Sequence, residues 1–295
     1  MTTRTIYYSI DSTTFMSTEV PDNVQWIFNN QGQSWKQQGY NIIANTNPLG
    51  TCQGLITSLS SDGKTIAISC NSDTSETCVF SYNGTDWIKE TNLVSNSNLI
   101  SRNSLSSDGN TLVVGESNDI GAVYVYIRSS DSTWSQQSKL VANDSVGMSL
   151  QGSSVYLSGN TLAVYGKGDD NNIGAAWIFN YDGTNWIQHG SKLISNTLNT
   201  INLVSLSTDE NTLTVGNNII FTLISDVWTQ QADSAIAVSN NRLSNQTLSS
   251  DSSTLAVSEY KTRDNMGSTW VFIKFNPNLT DTELLLNPVS PILIL

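Results

Sequence analysis

The sequence predicts an all-β protein, a six-bladed β-propeller of four-stranded antiparallel blades forming a single domain over residues 1–295. Three observations predict it. A turn-centred motif recurs six times, a strand-like motif follows every copy, and a Trp-led motif follows five of them. Units of about 40–50 residues with four candidate strands each have the period of propeller blades.

The first motif is clearest in "SLSSDGNTLVVG" (104–115), two strand-like runs joined at Asp108-Gly109-Asn110. Aligned on the Thr after the turn, the copies fall at Thr14, Thr65, Thr111, Thr161, Thr212 and Thr254, 42 to 51 residues apart. The second motif reads "NVQWIFNN" (23–30), "TCVFSYNG" (77–84), "GAVYVYIR" (121–128), "GAAWIFNY" (174–181), "NNIIFTLI" (217–224) and "GSTWVFIK" (267–274). Its alternation of large apolar and β-branched residues is the period-two signature of a strand.

The third motif opens at Trp35, Trp87, Trp134, Trp186 and Trp228, and "LTDTELLLN" (279–287) takes its place in the last unit. The units are thus about 4–43, 55–94, 101–141, 152–194, 202–236 and 244–287, with 288–295 as a C-terminal tail. In the third unit the strands are expected near 103–106, 111–115, 122–127 and 134–141. Asp, Asn and Gly in "SSDGN", "NGTD" and "YDGTN" suit tight hairpin turns. One four-stranded sheet cannot bury both faces alone, whereas a radial array buries each against the next. Trp26, Tyr124, Trp177 and Trp270 have the size to fill that space.

Composition bounds the function. Hydrophobic residues make up 38% of 295, a globular value. Charged residues are 13%, against about 25% in an average domain, so Ser, Thr, Asn and Gln cover much of the surface. With a net charge of −12 and 13 Lys plus Arg, neither nucleic acid nor an anionic membrane is an expected partner. "MTTRTIYYSIDS" lacks the apolar stretch of a secretory signal. No window approaches the run of about 18 apolar residues of a membrane helix. No membrane insertion is expected, and the compartment stays open.

The block "QGSSVYLSGNTLAVYGKGDDNNIGAAWIFNYDGTNWIQHGSKLI" (151–194) resembles the FG-GAP-type repeats of propellers related to integrin heads. Closer still is the W-x-Q-Q-x-x-L variant of that repeat, found in bacterial surface and secreted proteins and in proteins of large DNA viruses. The resemblance spans about 7 to 287 and implies a virion or surface component. Where the family has Phe-Gly, Gln151-Gly152 and Gln53-Gly54 stand nearest, and its Gly-Ala-Pro is reduced to endings such as Val114-Gly115. No loop carries the D-x-D-x-D-G-x-x-D calcium pattern, so metal binding is not carried over.

Residues with chemistry are few. His189 stands in "WIQHGSKL" where other copies have Gln, as at Gln137, and no second His exists for a triad. Cys52, Cys70 and Cys78 fit no zinc spacing. Cys70 and Cys78 flank one hairpin loop, which leaves a cross-strand disulfide and buried thiols as alternatives. Asp169 and Asp170, with Asn171, lie in the Gly-rich loop "GKGDDNN" (166–172), read as a solvated hairpin loop with a cation site as the alternative. Sequons occur at Asn83, Asn143, Asn245 and Asn278, several of them expected by chance.

No catalytic, cofactor-binding or metal residue is assigned, and no enzyme is expected. Connections between strands two and three and between units are long and varied: 70–77, 116–121, 166–173, 258–267, 44–54, 95–102 and 142–150. Propeller geometry places both sets on one face, where recognition is expected. Asp169, Asp170, Asn171, Tyr260 and Arg263 are the candidate partner contacts. The expected function is structural or interaction work through that face, with a protein partner or self-association; glycan binding is the alternative.

Overall fold

The computed structural model describes residues 3–8, 14–20, 24–30, 34–40, 42–43, 53–71, 75–94, 100–194, 203–216, 219–231, 243–249, 252–259, 268–273 and 288–292. They fall into two compact units: Met1–Val141 with Leu150–Gly152, and Ala142–Ser149 with Ser153–Leu295.

In the first unit, β1 (Thr3–Tyr8), β2 (Thr14–Val20), β3 (Val24–Asn30), β4 (Trp35–Gln37) and β5 (Ile42–Ile43) form the first sheet. The second sheet is β6 (Gln53–Leu59), β7 (Thr65–Asn71), β8 (Glu76–Tyr82) and β9 (Trp87–Val94). The third is β10 (Ile100–Leu105), β11 (Thr111–Glu116), β12 (Ala122–Arg128) and β13 (Trp134–Leu140). The fourth sheet, in the second unit apart from the first two residues of its first strand, is β14 (Gln151–Ser158), β15 (Thr161–Gly166), β16 (Ala175–Tyr181) and β17 (Trp186–Gln188). A fifth follows: β18 (Val204–Leu206), β19 (Thr212–Val215), β20 (Ile219–Ile224) and β21 (Val227–Gln230). The sixth is β22 (Leu243–Leu248), β23 (Thr254–Glu259), β24 (Ser268–Ile273) and β25 (Pro288–Ile292). Strands pair in chain order, and the paired strands are antiparallel.

Each anchor Thr of the repeat is the first residue of a second strand. The cause is local. Thr65, Thr111 and Thr212 each donate a backbone N–H to the hydroxyl of a Ser five residues earlier, at 2.9 Å. That Ser (Ser60, Ser106, Ser207) in turn donates to Asp62, Asp108 or Asp209. The Asp then accepts the N–H just before the Thr, that of Lys64, Asn110 or Asn211. The turn therefore satisfies its own polar groups. Its tightest position needs φ near +65°, met by Gly63 and Gly109, and by Glu210 in the copy that lacks Gly.

In the first four sheets the fourth strand is irregular at one position. β8 pairs Phe80 with Lys89 and Val79 with Thr91, so Glu90 is extruded. β12 pairs Tyr126 with Gln136 and Val125 with Ser138, extruding Gln137. In the first and fourth sheets the strand breaks instead. β4 and β5 both pair with β3, and beyond β17 Leu193 bridges Ala176. The break follows Gln38 and His189, next to Gly39 and Gly190 with φ of 69° and 70°. In all four sheets the affected residue is the third after the motif Trp.

The sixth sheet departs from expectation. Its fourth strand is Pro288–Ile292, which pairs with β24, whereas 279–287 was expected there and lies outside the described residues. Val289 and Ile292 supply β-branched residues, and Pro288 and Pro291, lacking N–H groups, are tolerated on an edge strand.

Alternation of side chains buries both faces of a sheet. Ile66 and Ile68 of β7 pack with Cys78, Phe80 and Trp87 against Ile27 and Ile42 of the first sheet. Ala67, between them, and Val79 face Ile100, Leu105, Leu112 and Val114 of the third. In the second unit Ala163, Tyr165, Ala176 and Ile178 pack on Leu206, Leu213, Val215, Phe221 and Trp228. Burying each such Ile or Leu contributes roughly 1.5–3 kcal/mol. First strands adjoin one another where β6 lies against β1 and β10 and β18 against β22, while β18 also lies against β15, the second strand of the fourth sheet. Side chains satisfy their edges. Ser154 accepts from the Val204 N–H and Ser205 from the Leu248 N–H, both at 3.2 Å, while Asn103 donates to the Ile56 carbonyl at 2.9 Å.

Candidate interaction face

In the second unit two long loops are locked to each other. The segment 167–174 includes one turn, Asp169–Asn172, whose residues Asp170, Asn171 and Asn172 have φ of 47°, 59° and 70°. Asp and Asn are the non-glycine residues that tolerate this left-handed conformation, which accounts for the run "DDNN". The turn drives Asp169 inward, where it is 1% exposed. Its Oδ1 accepts from the Val146 N–H at 2.6 Å, and its Oδ2 pairs with Lys192 Nζ at 2.6 Å. Asp170 N–H reaches the Val146 carbonyl, and Gly168 N–H that of Ser149, both at 3.1 Å.

Asp144 fixes the other end. Its Oδ1 accepts from Trp177 Nε1 at 2.8 Å and Gln188 Nε2 at 3.0 Å, and its Oδ2 from the Lys192 N–H at 2.7 Å. Burial pushes this carboxyl up, but those hydrogen bonds outweigh it and hold the group below the ordinary carboxylate range. Trp177 is completely buried. So anchored, the connector presents Val146 and Met148 to solvent, 48% and 69% exposed.

The solvated reading of the loop is therefore corrected at Asp169, which is buried and ion-paired, while Asn171 is exposed and Asp170 half-buried. Tyr260 and Arg263 lie outside the described residues. Among the described residues no group of His, Cys, Asp and Glu is placed to hold a metal ion. None of their helices is long and apolar enough to cross a membrane. Lys192, Asp144 and Val146 escaped the sequence reading; the one signal was "SKL", shared by 138–140 and 191–193. In the third sheet the corresponding Lys139 lies over the Tyr124 ring, 5.4 Å from its centroid. There it borders a groove of about 380 Å³ lined by Glu116, Asn118, Asp119, Tyr124 and Val141.

The ladder sets Cys78 opposite Ile68 and Cys70 opposite Glu76. The two cysteines are thus diagonal rather than facing, and the Cys70 side chain lies outside the described residues. Burial pushes the Cys78 thiol up.

The extruded residues link sheets. Glu90 Oε2 accepts from Trp134 Nε1 at 2.8 Å and its Oε1 pairs with Arg128 of the third sheet. The Gln38 carbonyl accepts from Trp87 Nε1 at 2.9 Å. In the second unit His189 Nε2 lies 3.1 Å from the Asp226 carbonyl.

No curated protein matches the chain. By structure it is similar to a functionally unknown protein from Desulfotomaculum acetoxidans, with a TM-score of 0.65 at 11% identity, over 91% of this chain and 81% of that one. It is also similar to a chain in the crystal structure of a mitotic checkpoint complex, with a TM-score of 0.60 at 15% identity, over 90% and 73%. At such identities the likeness is one of fold, and these neighbours are propeller-like. The segment 134–179, which runs from Trp134 through the locked loops to β16, matches the family model of the FG-GAP repeat. The match to the FG-GAP repeat thus falls on residues 134–179 of a chain of antiparallel sheets, five of them four-stranded.

Proposed function

We propose that the six sheets are blades of one closed propeller and that the protein is a non-catalytic interaction component, a surface or virion-type protein that binds protein or assembles with itself through its long-loop face. One observation carries the reading. The 142–150 connector is anchored by the carboxylates of Asp144 and Asp169, yet its apolar side chains Val146 and Met148 stand in solvent. Loops held rigid on a scaffold lose little entropy on binding, which suits recognition. FG-GAP repeat domains in general mediate protein–protein contacts, which is in keeping with this reading. The low charge content lowers the electrostatic cost of packing neutral polar surfaces together.

Size-exclusion chromatography with electron microscopy tests it on the wild type and the double variant V146E/M148E. Wild-type assemblies or partner complexes that the variant loses, built of ring-shaped six-bladed particles, are expected. Equal association by both proteins removes the loop face from the account.

Glycan binding is the second reading. The third-sheet groove favours it, because Tyr124 offers an aromatic ring beside Glu116, Asn118 and Asp119. Binding on a glycan array that Y124A abolishes would put this reading first.

A further inference from the structure

The chain has a single histidine, and it sits at a junction between two sheets of the second unit. His189 follows β17 of the fourth sheet. Its Nε2 faces the Asp226 carbonyl at 3.1 Å and the Asp226 carboxylate at 3.7 Å, on the β20–β21 turn of the fifth sheet. Its Nδ1 is 3.2 Å from the side-chain amide of Asn180 on β16. Asn180 in turn lies 3.2 Å from the Thr161 hydroxyl, and Thr161 donates to Glu210 on the β18–β19 turn. A continuous chain of polar contacts, Asp226–His189–Asn180–Thr161–Glu210, therefore leaves the fifth sheet, crosses the fourth and returns.

Proton counting gives the chain two states. With a neutral ring, Nε2–H donates to Asp226 and Nδ1 accepts from the Asn180 NH₂. The Asn180 oxygen then faces Thr161, whose one hydroxyl proton points to the Glu210 carboxylate, so two acceptors oppose each other. With a protonated ring, Nδ1–H becomes a donor. Asn180 turns over by half a rotation, an exchange of near-isosteric O and NH₂. Its oxygen accepts from His189, its NH₂ donates to Thr161, and Thr161 donates to Glu210. Every donor then meets an acceptor. Among the described residues the charged group at the ring is the Asp226 carboxylate, and the Glu210 carboxylate ends the chain beyond Thr161.

We propose that His189 is a proton-operated clasp between the fourth and fifth sheets, which tightens when the imidazole is protonated and Asn180 turns over. What it tightens is the β20–β21 turn. Ser225 and Asp226 there have φ of 49° and 67°, and Ile224 and Val227 beside them are 52% and 62% exposed. Protonation of the ring orders this apolar tip. The device is independent of the Val146 and Met148 loop.

The test is hydrogen exchange of the full chain at pH 7.5 and 5.5, corrected for intrinsic rates, with the imidazole followed by NMR as a single resonance set. In the wild type, protection of 219–231 is expected to rise several-fold at pH 5.5, with the Asn180 side-chain amide shifting in step with the ring. H189Q, which installs the residue found in other copies and so keeps the fold, is expected to lose both responses. D226N is expected to reduce the gain. Equal pH dependence in wild type and H189Q overturns the proposal. So does a fall in protection as the ring protonates, or a ring that stays neutral throughout.

Discussion

Trp134 of the third sheet donates its indole N–H to Glu90 of the second at 2.8 Å, and Glu90 is the residue that a β-bulge pushes out of β9. The bulge thus converts a local ladder fault into an inter-sheet bond. Arg128 completes the pairing on the other Glu90 oxygen, and the Glu90 side chain is 5% exposed. Removing one partner of a buried pair leaves the other charge uncompensated. E90A is expected to cost about 3 kcal/mol, and E90Q less, because it keeps an acceptor for Trp134. Urea denaturation of both variants, followed by tryptophan fluorescence, checks the order.

Asp144 organises the long loops through three accepted hydrogen bonds, one of them from the buried Trp177. W177F keeps most of the ring volume and removes the donor. It is expected to cost about 1–3 kcal/mol and to raise protease sensitivity within 142–150. Limited proteolysis with mass-spectrometric mapping measures this.

The turn aspartates give a pH dependence with a definite sign. Burial pushes Asp108 and Asp209 up, but the hydrogen bonds from Ser106 and Asn110, and from Ser207 and Asn211, outweigh it and leave both carboxyls below the ordinary Asp value. Unfolded carboxyls take up protons near that value and folded ones only at lower pH. The stabilisation is therefore complete above about pH 4 and is lost as pH falls through the depressed folded values. Acid denaturation below about pH 4 is expected to be steeper in the wild type than in D108N/D209N.

Gly152 and Gly183 both have positive φ, 84° and 97°, but different surroundings. A Cβ on Gly152 would stand 2.7 Å from the Ala122 carbonyl oxygen and 2.8 Å from the Gly115 Cα, whereas one on Gly183 meets nothing within 4 Å. G183A is expected to cost about 1 kcal/mol from the backbone alone. G152A adds overpacking of roughly 1–3 kcal/mol. Thermal melts of the two variants separate the contributions.

What the sequence disclosed follows from how local each cause is. The anchor Thr residues could be read because Ser, Asp, Gly and Thr within six positions make the whole turn, and all six open strands. Strand order could be read because consecutive strands pair. The inward turn of Asp169 could not: its partners Val146 and Lys192 each lie 23 residues away, and an acidic run beside glycines looks solvated. The shift of the last fourth strand to Pro288–Ile292 was hidden for another reason, since prolines read as breaks although an edge strand accepts them. His189 looked like a polar substitution because its partners, Asn180 and Asp226, belong to different hairpins.

The most direct test of the central claim is light scattering of the wild-type chain across a concentration series, alone and with candidate partners, beside V146E/M148E. The account expects a mass that rises above 32.1 kDa in the wild type and stays there in the variant. A wild type that remains monomeric and unbound throughout, indistinguishable from the variant, would contradict it.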